Sequence, residues 1–255
     1  MDIYIDLQKL SIIFPALIAG LLILSTHIPL GQVILKRGII FIDLAVAQIA
    51  ALGVVLAHVF IPSPVWWFTQ LVALCSALGG ALLLSWTEDK WMDIQEALIG
   101  IVFVLAATIS VLLLSSSPVG SEHLQEILTG QILWVSSEQL IYTGVIYALI
   151  LFFWYRSSTL KQGVGFYLVF ATCVTLSVQL IGVYLVFSSL IIPAVAVSKI
   201  KNRNKILIAY ACGGLGYISG LLISLITDLP TGPVIVIMLA ISGLLFWNLF
   251  SEKPI

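Results

Sequence analysis

Asp43 is a carboxylate set inside a long apolar run. Such a group is costly in lipid and normally faces protein or a water-filled path. Gln48 follows five residues on, and His58 closes the same run. At 3.6 residues per turn, the fifteen residues from Asp43 to His58 span roughly 22 Å and return to within about 60° of the same side of a helix. Carboxylate and imidazole are ligands for hard and borderline divalent cations, so Asp43, Gln48 and His58 are candidates for a transient metal path. Gln179, deep in an uncharged stretch, joins them as a fourth path candidate. Structural readings stand beside these. Asp43 could cap its helix, snorkel or pair with Arg37; His58 could be an interfacial histidine; Gln179 could bond helix to helix. Glu122, His123 and Glu126 place two carboxylates and an imidazole on one loop, either an outer-face docking surface or a solvated connection. Their spacing does not match a structural zinc site.

The elements that position these groups are apolar helices. The 255 residues are 61% hydrophobic and 9% charged, against about 25% charged in a soluble domain. The expectation is an all-α polytopic membrane protein, one transmembrane domain over residues 1–255, with about eight to nine crossings. Apolar runs place spans near Leu10–Ile28, Gly38–Ile61, Val65–Trp86, Ala97–Ser115, Gln139–Tyr155, Gly163–Val183, Leu185–Ser198, Ile206–Thr227 and Pro233–Phe250. The run Gln162–Ser198 carries no charge and is too long for one ordinary span of about 20 residues. It holds a polar notch at Gln179 and Gly182, a serine pair at Ser188 and Ser189, and Pro193. A discontinuous helix is expected around 184–198, with Ser188, Ser189 and Pro193 as its break or gate. Broken helices at membrane depth line cavities, which favours a transporter over a passive anchor.

Splitting that run sorts the charges by side. Lys36, Arg37, Lys90, Arg156, Lys161, Lys199, Lys201, Arg203, Lys205 and Lys253 share one face, and of the eleven basic residues only Lys9 lies opposite. The positive-inside rule then puts the N-terminus outside and the C-terminus in the cytoplasm. The acidic Met1–Lys9 segment does not read as a cleaved signal. Trp66, Trp67 and Trp134 fall at outer ends and Trp86, Trp91, Trp154 and Trp247 at inner ends, as interfacial belts do. Leu124–Val135 reads as a short amphipathic outer helix. Asp2, Asp6, Glu122, Glu126, Glu138 and Asp228 make the outer face acidic, which leans toward a cationic substrate although positive-inside bias alone leaves acids outside. Gly213, Gly214, Gly216 and Gly220 read as a helix-packing face. Cys75, Cys173 and Cys212 lie in apolar runs without metal or redox spacing. The sequence contains no Walker A motif, Gly-rich nucleotide loop or nucleophile constellation, so the chain is not expected to be an enzyme.

Four segments resemble the permease subunits of metal-ion ABC importers of the zinc, manganese and iron group (ABC-3 type): Pro29–Arg37 with Phe41–Gly53, Ala97–Ile101 through Leu128–Leu133, Val178–Ala194, and Ile223–Gly232. The resemblance implies a multi-pass bacterial inner-membrane permease working as a homodimer. It also implies a separate ABC ATPase subunit, an extracytoplasmic metal-binding protein, membrane lipid around it, no nucleic acid, and a transported divalent ion with no stably bound cofactor. ATP enters through the partner subunit. Two departures stand out. Aligned on Gly53, the histidine that the family's second helix carries is Gln48, its aspartate position is Leu44, and Asp43 lies where its glycine would be. The cytoplasmic loop that docks on the ATPase is shortened to about Arg156–Gln162, so coupling would be shared by Arg156, Lys161, Lys199, Lys201 and Arg203. The short loop also leaves open a self-contained secondary metal-ion transporter.

Overall fold

The computed structural model describes residues 7–61, 64–115, 125, 128–157, 159–200 and 204–250, with side chains from Ile12 onward. Among them are nine α-helices and no strands. They are α1 Leu7–Arg37, α2 Ile42–Phe60, α3 Trp66–Lys90, α4 Gln95–Leu114, α5 Ser137–Arg156, α6 Gly163–Ile181, α7 Val183–Ala196, α8 Lys205–Thr227 and α9 Thr231–Phe250. All except α7 are long and apolar enough to cross a membrane. The fourteen residues of α7 extend only about 21 Å. The protein is an all-α polytopic membrane protein, as expected. Of the expected outer helix at Leu124–Val135, the structure describes a helical Leu128–Thr129 and a 3₁₀ turn at Ile132–Trp134; residues 124, 126 and 127 lie outside the described residues.

Two expectations about helix limits are corrected. The first span does not end near Ile28: α1 continues through Pro29 to Arg37. A proline inside a helix leaves the carbonyl four residues earlier without its donor. Here that carbonyl belongs to Ser25, and the Tyr210 hydroxyl of α8 donates to it at 2.9 Å. The continuous ladder is thus completed from another helix, as proline in membrane helices requires. The second correction concerns the break in the long neutral run. It lies at Gly182, not at Ser188, Ser189 or Pro193, which are all interior to α7. Both serine hydroxyls bond back to carbonyls one turn earlier, Ser188 to Tyr184 at 2.8 Å and Ser189 to Leu185 at 2.6 Å. They therefore need no gap in the helix.

The chain divides into two compact units. The first contains residues up to Leu35, Thr129–Ala148 and Leu180–Ile255. In it α8 and α9 pack backbone to backbone. A Cβ on Gly220 would stand 2.6 Å from Ile235 Cα, and one on Gly216 would stand 2.9 Å from Leu239 Cα. Gly213 receives the Leu24 side chain of α1, so the expected small-residue packing face is present, with Gly214 on its open side. The turn between α8 and α9 is pinned by Ser224, whose hydroxyl donates to the Leu229 carbonyl at 2.8 Å and pairs with Thr231 Oγ1 at 2.7 Å. At the head of α5 a capping box forms: Gln139 N–H donates to Ser136 Oγ at 3.2 Å and Ser136 N–H donates to Gln139 Oε1 at 2.9 Å.

The second unit contains Lys36–Leu128 and Leu149–Gln179. Its central helix is α2, which packs on α3 and α4. Gly53 brings α2 against Ala73 Cα and Ser76 of α3, and Gly80 of α3 receives the Ile49 side chain. By contrast, α4 and α5 leave Ile101, Val104, Leu105, Leu112, Ile141, Leu149 and Phe152 exposed, the apolar surface that lipid covers.

Candidate functional site

The first turn of α2 carries Asp43 because the chain reverses just before it. Gly38, at φ +75°, ends α1, and Phe41 caps α2 without a side-chain bond of its own. Glu96, in the first turn of α4, supplies the missing acceptor: its Oε1 takes the Phe41 N–H at 3.1 Å. A carboxylate at a helix head is also favoured by the helix dipole. Asp43 follows two residues later, fully buried at 0% exposure. Neither of its carboxylate oxygens has a hydrogen-bond partner among the described residues. A buried carboxylate without donors costs several kcal/mol, on the order of the total stability of many domains. Groups held at that cost cluster at functional sites.

Asp43 does not pair with Arg37. The guanidinium of Arg37 instead meets Glu88 at 3.5 Å. Gln48 is 3% exposed, buried in the same helix, but five residues from Asp43 is about 140° around the axis, so the two do not share a face. His58 stands at the exposed end of α2, where its Nδ1 lies 2.9 Å from the Val54 carbonyl oxygen. Gln179 is half-buried near the end of α6, and its Nε2 has no hydrogen-bond partner among the described residues. These four candidates therefore sit in different environments. No group of three or more His, Cys, Asp and Glu side chains able to hold a metal ion occurs among the described residues.

The break at Gly182 is built by a loop of the same unit. Gly130 (φ +70°) and Gly182 (φ +80°) meet backbone to backbone, and a Cβ on either would overlap the other segment. Thr129 continues the contact: its carbonyl oxygen occupies the place a Cβ on Gly232, at the head of α9, would need. Beside this junction an open cavity of about 320 Å³ is lined by residues including Thr129, Gln131, Trp134, Asp228, Leu229 and Thr231. Ser189 Oγ, nearly two turns into α7, lies 2.7 Å from the Tyr217 hydroxyl of α8.

At the basic ends of the helices, Arg156 is exposed at the end of α5. The Lys161 ammonium is 5.7 Å from the centre of the Trp154 ring, and that of Lys199 is 4.4 Å from the centre of the Trp247 ring. Glu122, His123, Glu126, Lys201 and Arg203 lie outside the described residues.

A buried histidine adds to the residues the sequence singles out. His27 of α1 is fully buried, with Nδ1 3.0 Å from the Ile23 carbonyl oxygen and 3.2 Å from Thr26 Oγ1. Its signal was available: a histidine next to a threonine inside an apolar run, two residues before Pro29.

An uncovered buried carboxylate, a helix broken at a glycine junction and eight long apolar helices define a polytopic membrane transport protein rather than an anchor. The chain belongs to the ABC 3 transport family, whose model matches residues 9–162 and 155–250. It is 26% identical to the high-affinity zinc uptake system membrane protein ZnuB of Haemophilus influenzae, over 89% of this chain and 93% of that protein. It is 25% identical to the manganese transport system membrane protein MntC of Halalkalibacterium halodurans, over 98% of this chain and 90% of that protein. Among solved structures, PsaBC from Streptococcus pneumoniae in complex with Fab shares the fold. The TM-score is 0.74 at 22% identity, covering 94% of this chain and 92% of that one.

Proposed function

We propose that the whole chain, residues 1–255, is the membrane-spanning permease subunit of an ATP-driven importer of a divalent transition metal, zinc or manganese and iron. The observation that carries this reading is Asp43: a fully buried carboxylate with no donor among the described residues, in the first turn of a long apolar helix of a family member. A passing cation is the partner that such a group lacks. Support for the class of ion comes from relatives named for zinc and manganese. In this reading two copies form the path, a separate ABC ATPase subunit hydrolyses ATP, and an extracytoplasmic protein delivers the ion at the outer face of a bacterial inner membrane. The permease itself binds the ion transiently and supplies the gate.

The test is uptake into proteoliposomes. Chain reconstituted with the ATPase expressed beside it is expected to import zinc or manganese only when ATP is present. One observation favours the second reading, a gradient-driven secondary transporter: α5 ends at Arg156 and α6 begins at Gly163, and among the described residues between them is a 3₁₀ turn at Thr159–Lys161. Uptake by the chain alone, driven by an ion gradient, would establish that alternative and exclude the first.

The choice of metal is expected to run through Gln48. An amide is a far poorer zinc ligand than an imidazole. Gln48→His should raise zinc uptake relative to manganese by roughly tenfold, the scale of about 1.4 kcal/mol in ligand preference. Identical metal profiles for the two proteins would remove Gln48 from the path.

A further inference from the structure

One guanidinium gathers three elements at the basic end of the second unit. Arg37, the last residue of α1, places Nη1 3.5 Å from Glu88 Oε2 near the end of α3. Its Nη2 donates to the Lys161 backbone carbonyl at 2.8 Å, and its Cζ lies 4.3 Å from the centre of the Phe166 ring of α6. The Arg37 and Glu88 side chains are 20% and 18% exposed, so this pair is shielded far more than a surface ion pair. The contacts continue beyond it. One turn before Glu88 in α3, the Leu84 carbonyl accepts from Gln95 Nε2 at 2.9 Å, and the same Gln95 nitrogen lies 3.4 Å from the Tyr167 oxygen of α6. The neighbour of Gln95 is Glu96, which holds the N–H of Phe41 at the head of α2.

The connection at the start of this chain of contacts is too short to be stiff by its own helical structure. Within it Thr159–Lys161 form a single 3₁₀ turn. Tertiary contacts take over that role. The Thr159 carbonyl oxygen lies 2.9 Å from where a Cβ on Gly165 would stand, so the turn presses on the backbone of α6. The hydroxyls of Ser157 and Thr159 pair at 2.6 Å. Arg37 then ties the turn to α3. A planar fork serves a carboxylate, a carbonyl and a ring face at once; a lysine ammonium does not.

We propose that Arg37 is the positioning residue that makes the Thr159–Lys161 turn a rigid docking element for an ATPase, and that its contact network carries movement of that turn to the head of α2, beside Asp43. This rests on the permease reading. So short a turn keeps its stiffness by being fastened to the bundle, and the fastening runs to the helix that holds the buried carboxylate.

Two measurements test it. The first needs only the purified permease: in Arg37→Gln, backbone amides from Lys161 to Phe166 are expected to exchange with solvent about tenfold faster, the scale of losing a charge-assisted hydrogen bond. The second uses the permease–ATPase complex in proteoliposomes, where zinc or manganese ions moved per ATP hydrolysed are expected to fall at least about fivefold, a coupling loss of ordinary size. Arg37→Lys should shift both in the same direction despite its retained charge. Glu88→Gln serves as the second variant if Arg37→Gln does not fold. Unchanged exchange, or a loosened turn with unchanged ions per ATP, overturns the proposal. A wild-type protein that draws no ATPase sinks the permease reading and the docking role together, and that failure is recognisable because the exchange difference would persist.

Discussion

Replacing Asp43 by asparagine is expected to stop ion uptake while making the protein harder to unfold. The two effects have one cause. Both carboxylate oxygens are buried without donors. Folding therefore carries the cost of a charge or proton that no protein group offsets. Asparagine keeps the shape and removes the ionisable charge, so unfolding free energy should rise by about 1–3 kcal/mol, the scale of burying such a group without partners. Uptake should fall roughly a hundredfold or more, because a cation losing a buried charged partner forfeits about 3 kcal/mol or more. Stability is read from thermal unfolding in detergent, and uptake from proteoliposomes. A variant that transports normally would take Asp43 out of the path. A variant that transports poorly and is also less stable would make Asp43 a structural residue with a partner of its own.

The largest loss of stability is expected at Gly182. Its backbone sits at φ 80° and ψ 163°, a region essentially closed to residues with a side chain. It also meets Gly130 with no room for a Cβ on either side. Gly182→Val combines about 1–3 kcal/mol of backbone strain with about 1–3 kcal/mol of overpacking, enough to consume much of a domain's stability. The protein should express poorly or melt far below the wild type. Gly214 is the control. A Cβ there meets nothing within 4 Å, and alanine should be neutral or add up to about 1 kcal/mol through helix propensity. Equal melting temperatures for Gly182→Val and Gly214→Ala would mean that the junction at Gly182 is not the fixed point the structure describes.

Most helix limits were legible from composition. The span read at Gln139–Tyr155 is α5 at Ser137–Arg156, and the one read at Ile206–Thr227 is α8 at Lys205–Thr227. Lipid leaves backbone groups no partner outside the helix, so apolar length and helix length coincide. The exceptions each involve a residue far away in sequence. Pro29 reads as an end, yet α1 passes through it because Tyr210, 185 residues after Ser25, caps the freed carbonyl. Ser188, Ser189 and Pro193 read as a break, yet the chain breaks at Gly182, where the loop at Gly130 crosses it. The candidate site divides the same way. Asp43 stood out at once as an intramembrane charge. Its lack of pairing with Arg37 is not legible locally, because it is Glu88, distant in sequence, that holds that guanidinium.

The sequence by itself determined that this chain is a bundle of membrane helices with a lone carboxylate inside one of them and a long neutral run in two pieces. Those properties depend on local composition and on the thickness of a bilayer. Tertiary structure alone decided which polar groups are satisfied: Ser25 by Tyr210, Arg37 by Glu88 and Lys161, and Asp43 by nothing. Hydrogen bonds and ion pairs require approach to about 3 Å, and only the packing of distant segments sets that distance.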